Sequence, residues 1–508
     1  MGASASNLAE LVRSAGEATP DKPALIDGTA TLSWSELDTE VDRCAAGLRA
    51  AGHESGSRIG VLLPNSIDFA VAYFGILRAG FVVVPLNVGY TAPELAYQLE
   101  NASVPLVVTD SAHVAVVAEA ASAVVPLVVD TEDGGWRALL ASGDGQRVEP
   151  TTGGEDLAAL LYTSGTSGRP RGAMLTHRAL LANLDQLSSI DPPVVASDDR
   201  VLLVLPLFHV YGLNAGLGMV ARTGATGILA GRFDPVETLA LVRDQQVSGL
   251  VGAPPMYVAW SMLPDLGDSL SSVRLASSGA APLPPSVLSS VLESSGHHIF
   301  EGYGLTETAP VLTTTLCSEV AKPGSVGRPV PHVELRVSSG DGYDDVVDED
   351  EPEYDPGEIV VRGPNLFSGY WPDGAGGPDA EGWFRTGDIG YLDADGDLFL
   401  VDRARDLILV SGFNVYPKEV EVALEGHPDV AEVAVIGVPH PYTGETVKAL
   451  VVLRDGAAAD ADALIDYAAT RLARFKCPTA VEFVDELPHS LVGKVARGRL
   501  RQSPSVTG

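Results

Sequence analysis

The sequence predicts an α/β protein in which helices cover mostly parallel sheets. Two apolar runs, RIGVLL at 58–63 and FVVVPL at 81–86, have the β-branched composition of strands buried on both faces. The segment between them has helical periodicity and ends at Gly80, so the three together predict a β-α-β unit. An earlier helix is predicted to begin after Ser33, because Glu36 follows at the spacing of a capping box.

The last part of the chain predicts a separate small domain of mixed helices and strands. At roughly 150 residues per domain, 508 residues suggest about three domain-sized units. Two such units can also be joined in one large α/β lobe. After Arg405 the pattern changes to a helix near 417–426, strands near 431–437 and 446–453, a helix near 460–475 and a closing strand. About a hundred residues suffice for such an α+β domain.

The composition is that of an ordinary globular chain and excludes several classes of function. The 33 basic residues face 67 acidic ones, a formal net charge of −34, which argues against a nucleic-acid or anionic-membrane partner. Cys44, Cys317 and Cys477 are too few and too scattered for a disulfide framework or a zinc site. The N-terminus lacks the basic head and apolar stretch of a secretory signal, so we expect a cytoplasmic protein.

One uncharged stretch, residues 201–221, is long enough to cross a bilayer. It contains Pro206, His209, Asn214 and several glycines, which a lipid-exposed helix would accommodate poorly. The stretch therefore predicts a buried strand, turn and helix, and no membrane span.

Two acidic segments resemble cation sites only superficially. Residues 338–358 combine many carboxylates without a fixed ligand spacing, which is typical of a solvated loop. The sequence DADGD at 393–397 departs from the EF-hand order, and we expect a hairpin turn there. In contrast, Arg471 to Arg501 is locally basic, which suggests that this part of the chain meets an anion or is a chance cluster of charge.

A run of hydroxyl and glycine residues after an apolar strand is the most informative segment. It reads Tyr162-Thr163-Ser164-Gly165-Thr166-Ser167-Gly168 and is followed by Arg169 and Arg171. Glycines let backbone N–H groups approach an anion, hydroxyls add donors and arginine adds charge, so the segment predicts a phosphate cradle. The order of a Walker loop is missing, and on its own the segment leaves a flexible Ser/Gly linker open.

The segment at 160–177 resembles the phosphate-binding signature of the adenylate-forming superfamily, which includes acyl-CoA synthetases, 4-coumarate ligases, luciferases and peptide-synthetase adenylation domains. Six further motifs of that family follow in the expected order: SSGAAPL (277–283), EGYGLTET (301–308), GEIVVRGPNLFSGYW (357–371), GWFRTGDIGYL (382–392), DRARDLILVSGFNVYPKEVE (402–421) and LPHSLVGKVARGRL (487–500). The resemblance covers nearly the whole chain.

The resemblance implies a large adenylation domain, residues 1–402, that includes a β-rich subdomain, and a small mobile C-terminal domain, residues 403–508. The small domain would rotate about a hinge at Arg405 between two half-reactions. This rotation would withdraw Lys494 and bring three residues toward the active site: Gly412, Phe413 and Asn414.

The resemblance also implies the residues that bind ATP. The phosphates would be held by Thr163, Ser164, Gly165, Thr166, Ser167, Gly168 and Arg171. The adenine slot would be lined by Gly279, Ala280, Ala281, Glu301, Gly302, Tyr303 and Gly304. The ribose hydroxyls would be bound by Asp388, with a further donor from Arg403, and Arg405 is also among the residues expected to bind the cofactors. The sequence departs from the family pattern at Arg171, where the usual residue is lysine.

The catalytic assignments follow from the same resemblance. Thr306 would contact the α-phosphate, and Glu307 with Thr163 would hold Mg²⁺, a hard cation that prefers oxygen ligands. Lys494 would neutralise the charge that develops as the acyl carboxylate attacks phosphorus. His209 would border the acyl pocket.

The implied activity is ATP-dependent formation of an acyl-adenylate, followed by thioester formation with coenzyme A. We expect coenzyme A as the acceptor because no carrier domain follows Lys494. The segment PLFHVYGL (206–213) lacks the aspartate that would hold a substrate ammonium group, so an amino acid is not expected. The partners would be a small carboxylic acid, ATP and coenzyme A, and a homodimer is compatible with the resemblance.

The acid is expected to be a medium- or long-chain fatty acid. The alternatives are an aryl acid resembling 4-coumarate or benzoate, and transfer of the acyl group to a separate carrier protein. A luciferase-like oxidation and a binding protein without catalysis are further readings. The sequence alone does not identify the acid, the oligomeric state or the pathway.

Overall fold

The computed structural model describes residues 5–121, 127–143, 145–163, 169–281, 283–338, 357–403, 408–411, 413–415, 417–454 and 456–487; for residues 127, 401–403, 414 and 418 it describes the backbone alone. The described residues form mixed α/β architecture, which confirms the predicted fold class.

The strands are β1 (Pro23–Asp27), β2 (Ala30–Ser33), β3 (Arg58–Leu62), β4 (Val82–Pro85), β5 (Leu106–Thr109), β6 (Leu127–Asp130), β7 (Leu157–Thr163), β8 (Arg171–Thr176), β9 (Arg200–Leu203), β10 (Thr226–Leu229), β11 (Gly249–Gly252), β12 (Leu275–Ser278), β13 (Ile299–Gly304), β14 (Val311–Thr314), β15 (Ser325–Pro329), β16 (Glu334–Ser338), β17 (Gly357–Arg362), β18 (Trp383–Leu392), β19 (Leu398–Arg403), β20 (Ile408–Val410), β21 (Phe413–Val415), β22 (Val430–His440), β23 (Gly444–Leu453) and β24 (Ala480–Phe483).

The α-helices are α1 (Ala9–Ala18), α2 (Trp34–Ala50), α3 (Ile67–Ala79), α4 (Ala92–Asn101), α5 (Val114–Ala120), α6 (Gly135–Ser142), α7 (His177–Ser188), α8 (Met219–Thr223), α9 (Pro235–Asp244), α10 (Pro254–Ser261), α11 (Leu266–Ser269), α12 (Pro285–Ser295), α13 (Pro417–Glu425) and α14 (Ala461–Ala469). A π-helix spans Tyr211–Gly218, and single 3₁₀ turns span Thr306–Thr308, Thr315–Cys317 and Arg474–Lys476.

The predicted β-α-β unit is confirmed, with α3 connecting the parallel strands β3 and β4. Gly80 ends α3 with a φ of 87°, a left-handed conformation that glycine adopts without a Cβ penalty. The capping box at the start of α2 is also present, because the Ser33 side chain accepts from the Glu36 amide and the Glu36 carboxylate accepts from the Ser33 amide.

Two large sheets carry the N-terminal part of the chain. Strands β3 to β8 form a six-stranded sheet that is parallel except for β8. A thirteen-stranded sheet changes character along its width: β10, β9, β11, β12 and β13 are parallel, whereas β13 pairs antiparallel with β14 and the strands beyond it stay antiparallel. This antiparallel portion is the expected β-rich region.

Helices α2 and α3 approach each other closely in the core. A Cβ at Gly75 of α3 would lie 2.5 Å from the Cys44 sulfur of α2, so a larger residue would force the two helices apart. The buried side chains around this contact form the largest apolar cluster of the described chain.

The described C-terminal residues form a sheet of β20 to β24 with α13 and α14, as the sequence predicts for an α+β unit. The predicted second helix is shorter than expected, because α14 ends at Ala469 and a 3₁₀ turn follows. Lys476 joins this unit to α4: its Nζ lies 3.2 Å from Glu94 and 2.8 Å from Glu419, and all three side chains are nearly buried.

The uncharged stretch at 201–221 contains β9, the π-helix and part of α8, which confirms the predicted buried strand and helix. Among the helices that the structure describes, none is both long and apolar enough to span a bilayer.

The DADGD segment forms the turn between β18 and β19, as expected. The carboxylates of Asp393, Asp395 and Asp397 converge there, and Lys322 Nζ lies 2.5 Å, 2.7 Å and 2.9 Å from their oxygens. An ammonium group therefore already occupies the position among these carboxylates that a metal ion would take. The other acidic segment lies outside the described residues except at its two ends.

His177, the first residue of α7, is completely buried, and its Nδ1 accepts a hydrogen bond from the Leu8 amide. Burial lowers the pKa of His177 from 6.5 to about 4. Because the unfolded chain binds this proton more readily, the free energy of unfolding decreases as the pH falls below 6.5 and continues to decrease toward 4. The difference between these two pKa values corresponds to about 3 kcal/mol of the free energy of unfolding.

We expect the thermal unfolding midpoint to be lower at pH 4.5 than at pH 7. In His177→Gln this difference should be smaller. The exposed His298 provides the control, since its replacement by glutamine removes no buried imidazole. Differential scanning calorimetry at both pH values measures the effect. An identical pH dependence in wild type and His177→Gln would contradict this explanation.

Candidate active site

A cavity of about 330 Å³ lies at the carboxyl ends of β11, β12 and β13, where they face β18. In α/β sheets this edge is the usual place for a ligand. The structure brings most of the described sequence-predicted residues to its wall: Thr163, Arg171, His209, Gly279, Ala280, Gly302, Tyr303, Gly304, Thr306, Glu307 and Asp388.

Thr163 and Arg171 are directly opposite each other in the antiparallel pair β7 and β8. Both line the cavity, so the two ends of the predicted phosphate segment meet at its mouth. Residues Ser164, Gly165, Thr166, Ser167 and Gly168 lie outside the described residues.

Close packing explains the glycines of the predicted adenine slot. A Cβ at Gly304 would lie 1.8 Å from the Pro310 carbonyl oxygen, and one at Gly279 would lie 3.0 Å from the Tyr211 ring. Glu301, in contrast, lies beneath the wall, where it is buried and its Oε1 accepts a hydrogen bond from the Leu283 amide. Burial raises the pKa of Glu301. Ala281 follows Ala280 without contributing to the described lining.

Glu307 belongs to the turn at Thr306–Thr308 and directs its carboxylate to the cavity. Desolvation raises its pKa, and a hydrogen bond donated by the Tyr370 hydroxyl opposes that shift. The Arg171 guanidinium lies 3.6 Å from the centre of the Tyr370 ring, a cation–π contact. Arg171, Tyr370 and Glu307 therefore form a continuous wall.

Asp388 is nearly buried and accepts a hydrogen bond of 2.7 Å from the Tyr303 hydroxyl. Its backbone lies opposite Arg403 in the β18–β19 pair, so the two residues predicted to bind the ribose are neighbours across two strands. The side chain of Arg403 lies outside the described residues.

His209 precedes the π-helix and lines the cavity. Burial lowers its pKa to about 4, and its Nδ1 accepts a hydrogen bond of 3.3 Å from the Tyr211 amide. The imidazole is therefore neutral at pH 7, with its proton on Nε2.

Aliphatic side chains form part of the cavity lining and include Leu187, Val194, Val210, Ala215, Val251 and Leu316. The charged residues of the described lining are Arg171, Glu307, Arg385 and Asp388, and Arg385 is ion-paired with Glu358. The cavity lining thus combines polar side chains suited to phosphate and sugar with aliphatic ones.

Comparison with known proteins identifies the family of the chain. The family described as AMP-binding enzyme matches residues 12–371, and its C-terminal domain matches residues 419–494. The chain belongs to the AMP-binding enzyme family. This membership confirms the predicted relationship to the adenylate-forming superfamily.

Two curated relatives and one solved structure show the breadth of the family. A long-chain-fatty-acid–CoA ligase of Bacillus subtilis is 36% identical, and the match covers 95% of this chain and 91% of the relative. A feruloyl-CoA synthase of Amycolatopsis sp. is 38% identical over 95% of this chain and 96% of the relative. The o-succinylbenzoate CoA synthetase of Bacillus subtilis, bound with a product analogue, superposes with a TM-score of 0.84 at 28% identity, covering 98% of each chain.

This AMP-binding enzyme is an acid–thiol ligase, an acyl-CoA synthetase that uses ATP and coenzyme A. Several residues predicted for these ligands are not described. Arg405, Gly412 and Lys494 lie outside the described residues, as does the side chain of Asn414. Phe413 is described and packs against Phe475, with 4.6 Å between ring centres.

Tyr370 is a residue of the AMP-binding enzyme's cavity to which the sequence analysis gave no role. It lies within the quoted motif GEIVVRGPNLFSGYW, so the motif itself was the available signal. Its ring and hydroxyl contact Arg171 and Glu307 at once, and both contacts depend on the fold.

We expect Tyr370→Phe to lower the rate of adenylate formation by about tenfold, which corresponds to the loss of one hydrogen bond to a charged group. The ring and its contact with Arg171 are retained, so the loss isolates the hydroxyl. Pyrophosphate exchange measures the rate, and Tyr442→Phe, at an exposed site of the C-terminal sheet region, is the control. An unchanged exchange rate in Tyr370→Phe would show that the Tyr370 hydroxyl has no role in adenylate formation.

Proposed function

We propose that the enzyme activates a monocarboxylic acid with an apolar tail, most simply a medium- or long-chain fatty acid, and transfers the acyl group to coenzyme A. The observation that carries this proposal is the aliphatic part of the cavity lining, because the two cations of the described lining already have partners: Arg171 stacks on Tyr370 and Arg385 pairs with Glu358. Burying an unpaired carboxylate there would be costly. The similarity to a long-chain-fatty-acid–CoA ligase supports the fatty acid.

An aryl acid is the second candidate, because a feruloyl-CoA synthase has the higher identity of the two curated relatives, 38% against 36%. Aromatic side chains also border the cavity at Tyr211 and Phe300. A substituted cinnamate would present a flat ring to these residues, whereas a fatty acid would present a flexible chain.

We infer that ATP is held by the residues along the polar portion of the cavity. Asp388, fixed by Tyr303, would bind the ribose hydroxyls, and Thr306 would donate to the α-phosphate. Arg171 at the mouth would contribute positive charge to the phosphates.

The residues present fit a magnesium ion, because the carboxylate of Glu307 and the hydroxyl of Thr163 are oxygen donors and both residues line the cavity. The ion would supply charge neutralisation to the phosphates of ATP. The Tyr370 hydrogen bond would keep the Glu307 carboxylate oriented for that contact.

In the first half-reaction the acid's carboxylate oxygen forms a bond to the α-phosphorus and pyrophosphate leaves. We propose that Lys494 stabilises the charge that develops at this centre. In the second half-reaction the thiol sulfur of coenzyme A bonds to the acyl carbon, its proton is lost, and AMP leaves. The neutral imidazole of His209 would border the acyl group without adding charge.

We propose two domains, residues 1–402 and 403–508, with a hinge at Arg405. Movement of the smaller domain would let Lys494 serve the first step and the segment around Phe413 serve the second. We further propose a cytoplasmic location, which the three free cysteines support because they do not form a disulfide framework.

The experiment is a screen of purified enzyme with ATP, Mg²⁺, coenzyme A and carboxylic acids, both straight-chain from C2 to C18 and aryl. We expect AMP, pyrophosphate and acyl-CoA, with the highest kcat/KM for a medium or long chain. Higher values for hydroxycinnamates would favour the aryl alternative. Release of ADP would overturn the adenylate route, and an acyl-adenylate that persists in excess coenzyme A would indicate a carrier protein as acceptor.

A further inference from the structure

Four buried amide side chains converge behind the loop that carries Thr306 and Glu307. They are Asn183 and Gln186 of α7, Asn214 of the π-helix, and Asn365 after β17, and each is at most 2% exposed. Buried amides cost free energy unless they are hydrogen-bonded, so their convergence on one loop requires an explanation.

Three of the amides donate to the loop's backbone, Gln186 bonds to Asn183 and Asn365, and none of the four lines the cavity. Asn365 donates to the Thr308 carbonyl at 2.7 Å, Asn214 to the Ala309 carbonyl at 2.8 Å and Asn183 to the Val311 carbonyl at 2.8 Å. The same loop receives one further hydrogen bond from a backbone group: the Phe367 amide donates to the Glu307 carbonyl at 2.9 Å.

The loop needs such support because its backbone is unusual. Ala309 has a φ of 65°, a left-handed conformation that costs a residue with a Cβ of the order of 1 kcal/mol. The hydrogen bond from Asn214 to the Ala309 carbonyl holds this residue, three positions after Thr306 and two after Glu307.

Asn214 differs from the other amides in its location. It lies on the π-helix whose residues Tyr211 and Ala215 line the cavity, and it also donates to the Leu180 carbonyl of α7 at 3.1 Å. Its Oδ1 is buried without a hydrogen-bond partner among the described residues. A buried carbonyl oxygen without a hydrogen bond is unfavourable, so the side chain stabilises this region through the two hydrogen bonds that its N–H groups donate.

We propose that Asn214 is a positioning residue: its amide ties the π-helix to the Ala309 backbone and thereby fixes Thr306 and Glu307 for adenylate formation. This inference rests on the proposed function, since it assigns the loop to ATP and Mg²⁺. The side chain itself does not line the cavity, so it acts through the loop.

The test is Asn214→Ala, alone and combined with Glu307→Gln, with pyrophosphate exchange measured on dodecanoate and on the best acid of the screen. A displaced catalytic group can cost up to about 100-fold, and we expect Asn214→Ala to lower the exchange rate about 10- to 100-fold. We also expect a higher Mg²⁺ concentration for half-maximal rate. In the Glu307→Gln background the further loss is expected to be much smaller, because the two changes disable one unit.

The matched control is Asn7→Ala. Asn7 is equally buried, and its amide also bridges two carbonyls, those of Leu77 and Thr152, but neither carbonyl belongs to the loop that carries Thr306 and Glu307. We expect it to lower the thermal midpoint while leaving the Mg²⁺ dependence unchanged. If Asn214→Ala does not fold, Asn365→Ala removes the neighbouring donor to Thr308 and is expected to give the same Mg²⁺ signature.

A normal exchange rate and Mg²⁺ dependence in folded Asn214→Ala would overturn the proposal, as would an equal loss with and without Glu307→Gln. Failure of the proposed function is distinguishable, because wild-type enzyme would then show no pyrophosphate exchange with any acid.

Discussion

Replacing Glu307 by glutamine is expected to lower the rate of adenylate formation by about 10²- to 10³-fold, the usual cost of one lost preorganised electrostatic contact. The amide keeps the size of the side chain and its ability to accept from Tyr370, but it has no charge for a cation. The rate is measured by pyrophosphate exchange over a titration of Mg²⁺, in which the half-saturating concentration should rise.

The control for this substitution is Glu293→Gln on the exposed face of α12. It makes the same change in net charge far from the cavity lining, so it is expected to leave the exchange rate unchanged. A Glu307→Gln enzyme with normal Mg²⁺ dependence would show that the carboxylate is not a ligand. Since Tyr370→Phe leaves the charge in place, its smaller expected effect separates orientation of the carboxylate from its charge.

Replacing Lys494 by methionine is expected to lower adenylate formation by about 10²- to 10³-fold while leaving transfer from a supplied acyl-adenylate to coenzyme A nearly intact. Methionine keeps an unbranched apolar stem and removes the ammonium group. Two assays separate the steps: pyrophosphate exchange for the first, and acyl-CoA formation from synthetic acyl-adenylate for the second.

Lys448→Met is the matched control, because Lys448 belongs to β23 of the C-terminal sheet and pairs with Glu482 at the surface. Surface ion pairs contribute little to stability, so both half-reactions should proceed at normal rates in this variant. Equal losses in both half-reactions of Lys494→Met would contradict a role confined to the first, and normal pyrophosphate exchange would remove the lysine from catalysis.

Local sequence patterns predicted the elements whose stability depends on nearby residues. The β-branched runs of β3 and β4, the end of α3 at Gly80 and the capping box at Ser33 each involve residues a few positions apart. Several motifs also predicted residues of the cavity wall, because each supplies a short stretch that reaches the cavity, as Thr306 and Glu307 do after β13 and Asp388 does within β18. Their individual roles stay predictions until the substitutions are measured.

The contacts that the sequence did not predict join residues far apart in the chain. Tyr370 and Glu307 are 63 positions apart, and Asn214 and Ala309 are 95 apart. Periodicity carries no information on such pairs, since it describes only the exposure of neighbouring residues. In the sequence Asn214 appeared simply as a polar residue that argued against a membrane span, whereas in the structure it is a buried donor.

The contact of Lys476 with Glu94 and Glu419 has a consequence for how firmly the C-terminal unit is attached. The three side chains are nearly buried. Moving a charge out of water costs solvation free energy, and this cost offsets much of the electrostatic attraction to its partner. Separating Lys476 from Glu94 would rehydrate both, so the free energy recovered from solvation would offset the lost attraction. Such an attachment can be specific in geometry and still be released at little net cost.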